Sequence, residues 1–223
     1  MNINTNTEIQ EFLTKYDRLI LDERGIIKLH SADFYKTIDD ADLRVWCICR
    51  AIYQLPTIEL IEWLKDNFNL RLAIEIGAGN NYLYHHLGIV GVDNYSEQIP
   101  AVKLVHEILN HPSTNPPPTV KKLDAIAAIE KYQPETVITS WMTIKGDDTE
   151  EVDGGHRYAP DEEEILDTGV TYVFIGNEYI HGDCEASRRH RLIMNKPHKT
   201  YYFDWLVSRG YYPEQNYICI WNG

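Results

Sequence analysis

The sequence has little positive charge, and this shortage restricts the partners it can bind. It contains 34 Asp and Glu residues against 21 Lys and Arg, which gives a formal net charge of −13 at pH 7. Proteins bind DNA and RNA largely by placing Lys and Arg against the phosphates. We therefore expect no nucleic-acid partner, and we interpret the one basic run, residues 188–191, as a solvated helix face.

Cysteines and long apolar runs are also scarce. The four cysteines are scattered, and no stretch is long and apolar enough to span a bilayer, so we expect no membrane partner. Residues 1–7 lack the basic region and apolar core of a secretory signal. These absences predict a cytoplasmic protein with reduced thiols.

Signatures of several enzyme classes are missing as well. The chain has neither the Gly-x-x-x-x-Gly-Lys-Ser/Thr loop that binds nucleotide phosphates nor the Gly-x-Ser-x-Gly turn of many hydrolases. His181, Asp183 and Cys184 lie close together in the sequence, but a zinc site usually takes four ligands in recognisable pairs. We expect no metal site.

The most informative feature that is present is an apolar strand followed by a glycine turn. Residues 72–76 are apolar apart from Glu75, and a Gly-Ala-Gly turn at 77–79 follows directly. A second apolar strand, residues 88–93, ends in Asp93. Glycine allows a sharp turn and a close ligand approach, and an acid at the next strand tip accepts hydrogen bonds from a ribose. The pattern predicts a nucleoside-type ligand at the strand ends of an open α/β sheet.

A nicotinamide or flavin site is the competing interpretation of the same turn. Its pattern is Gly-x-Gly-x-x-Gly, and Tyr82 occupies the position of the third glycine here. That substitution argues against a dinucleotide site. An ordinary strand-to-helix turn without a ligand is a further alternative.

The two strand ends resemble the first two motifs of the class I S-adenosylmethionine-dependent methyltransferases. Their first motif, hydrophobic-acid-hydrophobic-Gly-x-Gly, is matched by residues 74–79, and their second, an acid that closes the next strand, by Asp93. The resemblance implies a Rossmann-like, mostly parallel sheet with an antiparallel C-terminal strand. It further implies S-adenosylmethionine as cofactor and methyl transfer to a small molecule or a protein.

The resemblance also implies roles for individual residues at the first turn. Gly77, Ala78 and Gly79 would pass close to the methionine part of the donor. Glu75 would hold its carboxylate below that group, or it would cap the neighbouring helix ends. The crossover between the two strands is shorter than is usual in the family. This difference weakens the positional match between Asp93 and the acid of the second motif.

Three further polar residues are implied on the adenosine side. Asp93 would accept the ribose hydroxyls, and Asn94 would flank the adenine. Asp124 matches the family position whose acid faces the adenine amino group, although an aspartate there also suits a helix cap.

The family places its acceptor-facing motif at the end of the fourth strand, predicted here at 135–141. Enzymes that methylate nucleic-acid amines carry Asn/Asp-Pro-Pro-Tyr at that point, whereas this chain has Ser-Trp-Met-Thr at 140–143. The difference disfavours DNA amine methylation, in agreement with the acidic charge. Ser140 and Trp141 become candidates for the cleft floor and for a catalytic role, and core packing is the alternative for Trp141.

The alternation of helices and strands predicts an α/β fold with a parallel sheet. We expect a helical lead-in at 1–69 and a Rossmann-like S-adenosylmethionine-binding domain at 70–223. Smaller predictions complete the pattern. They are a surface loop at 111–118, helices at 125–132 and 198–209, a long exposed loop at 146–161 and a final strand at 217–221.

Two other functions stay open on this sequence. The missing acceptor motif and the short crossover suit a non-catalytic methyltransferase-like binding module or a partner subunit. A nicotinamide-dependent reductase on a similar sheet is the third possibility.

Overall fold

A seven-stranded sheet forms the centre of the structure, a computed structural model that describes residues 6–108, 111–143, 145, 157–183 and 199–222. The strands are β1 (Gln54–Leu55), β2 (Ala73–Ile76), β3 (Val90–Asp93), β4 (Lys121–Lys122), β5 (Thr136–Ser140), β6 (Thr171–Asn177), β7 (Lys199–Tyr202), β8 (Val207–Ser208) and β9 (Asn216–Trp221). The α-helices are α1 (Asn6–Ile20), α2 (Ala32–Tyr35), α3 (Asp40–Cys49), α4 (Ile58–Asn67), α5 (Leu83–Leu87), α6 (Pro100–Ile108), α7 (Ala125–Tyr132), α8 (Glu162–Asp167) and α9 (Glu178–Asp183).

The sheet is mostly parallel, as the sequence predicts. Its strand order is β4-β3-β2-β5-β6-β9-β7, and the five strands from β4 to β6 run parallel. The C-terminal strand β9 lies antiparallel to β6, and the edge strand β7 lies antiparallel to β9. The α/β class and the antiparallel C-terminal strand are therefore confirmed, and the architecture is compatible with a Rossmann-like fold.

Both faces of the sheet are buried, which explains the continuous apolar runs in its strands. Successive side chains of a strand point to opposite faces, so Val137 packs on the same side as α7 and α8, whereas Ile138 packs with α4 and α5. Helices on both faces leave the carboxyl ends of the parallel strands open at one edge. In open α/β sheets ligands bind outside these strand ends.

The N-terminal helices have an apolar core of their own. Side chains of α1 and α3 pack together around the fully buried Trp46, whose indole N–H donates to Asp17 at 3.0 Å. Asp17 also pairs with Arg50, just after α3. The short strand β1 pairs antiparallel with β8, which ties this segment to the C-terminal part of the chain. The division at residues 69 and 70 stays a prediction.

The predicted helix at 198–209 is wrong. The structure instead has β7, the short strand β8 and an irregular connection over the described part of this range. The segment is rich in Tyr, Phe, Trp, Thr and Val, which fit a pleated surface better than a helix. Tyr201 faces Ile218 of β9, and this cross-strand pairing outweighs the helical spacing on which the prediction was based.

Other predictions lie outside the described residues, in whole or in part. They concern the basic run at 188–191, most of the loop at 146–161 and Cys184. None of the helices in the described ranges combines the length and apolar character that a membrane crossing requires.

Candidate ligand-binding site

A cleft opens at the carboxyl ends of β2, β3 and β5. The glycine turn at 77–79 and Asp93 line one side, and Ser140 and Trp141 line the end of β5. Tyr53 and Glu97 complete the wall. The structure therefore brings most of the sequence-predicted site residues to one cavity.

The backbone of the turn favours glycine at both positions, and crowding adds a second reason at Gly77. Gly77 and Gly79 have φ values of +69° and +45°, in the left-handed region that side chains disfavour. A Cβ added at Gly77 would lie 3.1 Å from Met142 Cγ, whereas one at Gly79 would make an ordinary van der Waals contact of 3.6 Å with Thr114 Cγ2. Ala78 is fully buried, and its N–H donates to the Val92 carbonyl oxygen at 3.0 Å. Met142 therefore limits the space directly beside Gly77.

Asp93 holds the glycine turn against the end of β3. Its Oδ2 accepts the N–H of Gly79 at 3.1 Å, and its Oδ1 accepts the N–H of Tyr95 at 2.7 Å. Burial raises the pKa of Asp93, and these two hydrogen bonds partly offset that rise. Because a carboxylate oxygen can accept two hydrogen bonds, each oxygen keeps one acceptor position for a ligand.

Glu75 is fully buried and caps α5, which is one of the two roles expected for it. Its Oε2 accepts the backbone N–H of Tyr84 at 2.6 Å. Burial raises the pKa of Glu75 to about 8, although the N–H of Tyr84 and the side chain of Asn81 lower it. Glu75 supports the turn through α5.

Asn94 and Asp124 meet at a second pocket that adjoins the cleft. Asn94 accepts the N–H of Ser96 at 2.9 Å and donates to the Tyr158 carbonyl oxygen at 2.7 Å. Asp124 is exposed and caps α7, accepting the N–H of Ile126 at 3.0 Å. Asn94 lines both cavities, whereas Asp124 lines the second pocket. The helix-cap alternative for Asp124 is therefore present in the structure.

Ser140 and Trp141 lie at the end of β5, where the acceptor-facing motif is expected. Ser140 is buried, and its Oγ has no hydrogen-bond partner in the described ranges. Trp141 has a φ of +53°, a strained value for a bulky residue that is more common at functional sites. Its backbone N–H donates to the Ile175 carbonyl oxygen at 2.8 Å and its indole N–H to Gln54 Oε1 at 3.2 Å. Trp141 is thus both a packed core residue and part of the cleft lining.

Sequence reasoning missed four cleft residues. The helical spacing at 41–53 predicts that Tyr53 ends a helix, but α3 ends at Cys49 and Tyr53 follows it. Thr114 was assigned to a surface loop, yet it is 8% exposed and lines the cleft. Its backbone N–H donates to Glu97, which follows the second motif directly.

Asn81 is the fourth missed residue. It lines the cleft at 5% exposure, and its Oδ1 has no hydrogen-bond partner among the described residues. Position 81 lies two residues after the Gly-x-Gly motif, and an amide side chain beside such a turn is the signal that could have identified it.

No cluster of three or more His, Cys, Asp or Glu side chains suited to a metal ion occurs in the described part of the chain. His181 is buried, and its Nδ1 accepts the N–H of Asn177 at 3.0 Å. Its ring packs edge-on against Trp141, with 5.0 Å between the ring centres. His181 therefore supports the cleft floor from the α9 side.

No protein-family model and no curated protein matches this chain.

Proposed function

We propose that the cleft binds S-adenosylmethionine and that the protein transfers its methyl group to a small molecule or a protein. One observation carries the proposal. The carboxylate of Asp93 stands at the tip of β3, inside the cleft, and is hydrogen-bonded to the Gly79 N–H of the glycine turn on the neighbouring strand. The class I methyltransferase resemblance implies this pairing of a glycine turn and an acid.

Asp93 has the properties needed to hold a ribose. Two backbone N–H groups fix its orientation, so little conformational entropy is lost when a ligand binds. Its remaining acceptor positions suit the two hydroxyl donors of a ribose diol. An acid at this place on the second strand plays the same part in dinucleotide-binding sheets.

The adjoining pocket suits the adenine. Its lining combines the apolar side chains of Ile99 and Ile126 with the polar groups of Asn94, Asp124 and Tyr158. Apolar walls with a few polar groups are typical of small-molecule sites. Because Asn94 lines both cavities, one ligand that extends from the pocket into the cleft would pass Asp93 on its way.

The methionine part would lie between the glycine turn and the end of β5. Asn81 Oδ1 and Ser140 Oγ are buried there without partners in the described ranges. Buried polar atoms are nearly always hydrogen-bonded, so a polar ligand group is a suitable partner for both. The residues present thus fit the cofactor.

For methyl transfer the protein mainly has to position the two reactants. When bound, S-adenosylmethionine supplies an already electrophilic methyl group. The chain has to hold the acceptor in line with that group and exclude water, and alignment alone accounts for a large part of the rate. Buried Trp141 and Met142 close the β5 side of the cleft against solvent.

Isothermal titration calorimetry with S-adenosylmethionine and S-adenosylhomocysteine tests the proposal. We expect saturable binding of both, with a negative heat-capacity change from buried apolar surface. NADH, titrated in parallel by its fluorescence, tests the reductase alternative. If neither sulfur compound binds at about 1 mM, the weak end of specific affinities, the proposal fails.

A non-catalytic binding module is the second candidate function. The packing of Met142 against Gly77 favours it, since Met142 Cγ lies 3.1 Å from where a Cβ would be. That side chain narrows the cleft between the glycine turn and the end of β5, where the resemblance implies the acceptor-facing motif. Binding of S-adenosylmethionine without turnover on any candidate acceptor would support this function, and methyl transfer by the isolated chain would exclude it.

A further inference from the structure

Arg209 lies against the Tyr53 wall of the cleft. Its backbone N–H donates to the Tyr53 carbonyl oxygen at 3.0 Å. Its guanidinium Cζ lies 3.5 Å from the centre of the Tyr53 ring. Stacking on an aromatic face holds the guanidinium plane while its N–H edge stays available for hydrogen bonds. Tyr53 lines the cleft, so Arg209 lies one side chain away from it.

Two nitrogen atoms beside this wall are buried and have no hydrogen-bond partner in the described part of the chain. They are Arg209 Nη1 and His106 Nδ1. Leaving a buried polar group unpaired costs about 1–3 kcal/mol, and more for a charged one. Such groups are rare in folded proteins and call for a partner such as an ion.

Arg209 Nη1 keeps no hydrogen-bond partner among the described residues, although several protein groups lie near the guanidinium. Glu97 is the carboxylate of the cluster, and its Oε2 already accepts the Thr114 N–H and lies 4.0 Å from His106 Nδ1. The Tyr53 hydroxyl interacts with both Arg209 and Glu97, and Cys47 lies near the charge of Arg209. Burial raises the pKa of Tyr53 and of Cys47 to about 12, so both are neutral.

His111 completes the cluster. Burial lowers its pKa, and the charges of Arg209 and His106 lower it further. The carboxylate of Glu97 therefore shares this region with one permanent cation, Arg209, and two imidazole rings that can donate hydrogen bonds.

We propose that Arg209, together with His106 and His111, binds an anionic group, a carboxylate or a phosphate, of the methyl acceptor. The inference rests on the proposed function and adds the chemical class of the acceptor. The edge of a guanidinium presents two parallel N–H donors, which match the paired oxygens of both groups. An acceptor anchored there extends along Tyr53, whose ring centre lies 6.0 Å from that of Trp141, into the cleft.

An NMR titration of the full-length protein tests the anion site. Inorganic phosphate and acetate are the two probes, and the histidine Cε1–H signals report on His106 and His111. We expect saturable shifts of both signals and a rise in the pKa of His111, because the bound anion offsets the charge of Arg209. The probe that binds more tightly identifies the acceptor group as phosphate or carboxylate.

Three variants distinguish the effect of the paired N–H donors of Arg209 from the effect of its charge. Arg209→Met should weaken binding at least tenfold, equivalent to about 1.4 kcal/mol. The anion affinity of Arg209→Lys should lie between those of Arg209→Met and the wild type, because lysine keeps the charge but not the paired donors. Arg71→Met removes an exposed arginine at the start of β2 and should bind like the wild type.

Two results would overturn the inference. The first is the absence of any saturable shift in the wild type at about 10 mM of either probe, a concentration well above a millimolar dissociation constant. The second is anion binding by Arg209→Met that equals that of the wild type. S-adenosylhomocysteine affinity of Arg209→Met shows whether that variant is folded, and if it is not, Arg209→Lys decides. If the anions bind but S-adenosylhomocysteine does not, the anion site stands and its link to a methyl acceptor falls.

Discussion

Two carboxylates, the fully buried Glu75 and the partly buried Asp93, accept hydrogen bonds from the backbone around the glycine turn. Asp93 contacts Gly79 and Tyr95, and Glu75 contacts Tyr84. Burial raises the pKa of each acid. Asp93 lines the cleft, whereas Glu75 is fully enclosed. Their different exposure gives the two acids different roles and allows each to be tested separately.

Asp93→Asn should weaken the binding of S-adenosylhomocysteine. Asparagine has the same shape but loses the charge and one acceptor oxygen, and a hydrogen bond to a charged group contributes about 1.5–3 kcal/mol. We expect an affinity loss of about ten- to a hundredfold by calorimetry. Asp66→Asn, at an exposed position of α4, is the matched control. An unchanged affinity of Asp93→Asn would refute the ribose assignment.

Glu75 should make the protein less stable as the pH rises. The folded-state pKa of about 8 lies above the ordinary value of 4.5, so between these values the folded state binds more protons than the unfolded state. Stability from this group is present below the ordinary pKa and is lost toward pH 8. The loss amounts to a few kcal/mol at about 1.4 kcal/mol per pKa unit.

Urea unfolding of the wild type and Glu75→Gln at about pH 5 and pH 8 checks this sign. Glutamine can still accept the Tyr84 N–H, but it does not ionise. The free energy of unfolding of Glu75→Gln relative to the wild type should therefore rise with pH. A constant difference would show that Glu75 does not titrate in this range.

At the scale of elements, the β2–α5 connection determines the shape of the cleft. Its backbone takes up left-handed conformations at Gly77, Gly79 and Tyr82. Asn80 ties it to two other segments, since its Nδ2 donates to the Arg50 carbonyl oxygen at 3.4 Å and its Oδ1 accepts the Asn115 N–H at 3.0 Å. The N-terminal helices and the 111–118 connection therefore meet at the same turn.

Gly77→Ala should destabilise the protein more than Gly169→Ala. Both glycines have positive φ, at +69° and +79°, so each substitution costs about 1–2 kcal/mol in backbone strain. Only Gly77 has a neighbour, Met142, in the way of a Cβ, and overpacking adds about 1–3 kcal/mol. Urea unfolding of both variants measures the difference.

The double variant Gly77→Ala/Met142→Ala provides the control for crowding. Truncating Met142 creates space, so alanine at position 77 should cost less in that background than in the wild type. If Gly77→Ala lowers the free energy of unfolding equally in both backgrounds, Met142 does not crowd a Cβ at position 77.

At the scale of the whole molecule, acidic charge and a mostly parallel sheet act together. The sheet leaves one open edge for a ligand, and the net charge of −13 opposes any polyanionic partner there. The Arg209 cluster is a local exception that suits one anionic group rather than a phosphate backbone.

We therefore predict no measurable binding to duplex DNA. The measurement is fluorescence anisotropy of a labelled duplex at about 150 mM salt, where surface charges act over about 8 Å. A duplex-binding protein of known affinity is the positive control. Saturable, salt-sensitive binding by this chain would contradict the prediction and would indicate a basic surface.

The sequence by itself determined the α/β class, the strands β2 and β3, the existence of the final strand β9 and the helix at Ala125–Tyr132, whereas the antiparallel direction of β9 was implied only by the family resemblance. These features depend on apolar runs, glycines and caps that act between near neighbours in the chain. The helix predicted at 198–209 failed because local spacing does not show that Tyr201 pairs with Ile218. Strand pairing at the sheet edge is a long-range interaction that single-segment patterns do not contain.

Only the tertiary structure decided which side chains surround the cleft. Tyr53, Glu97 and Thr114 come from three separate parts of the chain, and Arg209, which packs on Tyr53, comes from a fourth; no spacing rule connects them. They meet because β1 pairs with β8 and because the 111–118 connection folds back onto Glu97. The sequence locates the glycine turn and its acid. The packing of distant segments around them decides which residues form the opposite wall of the cleft.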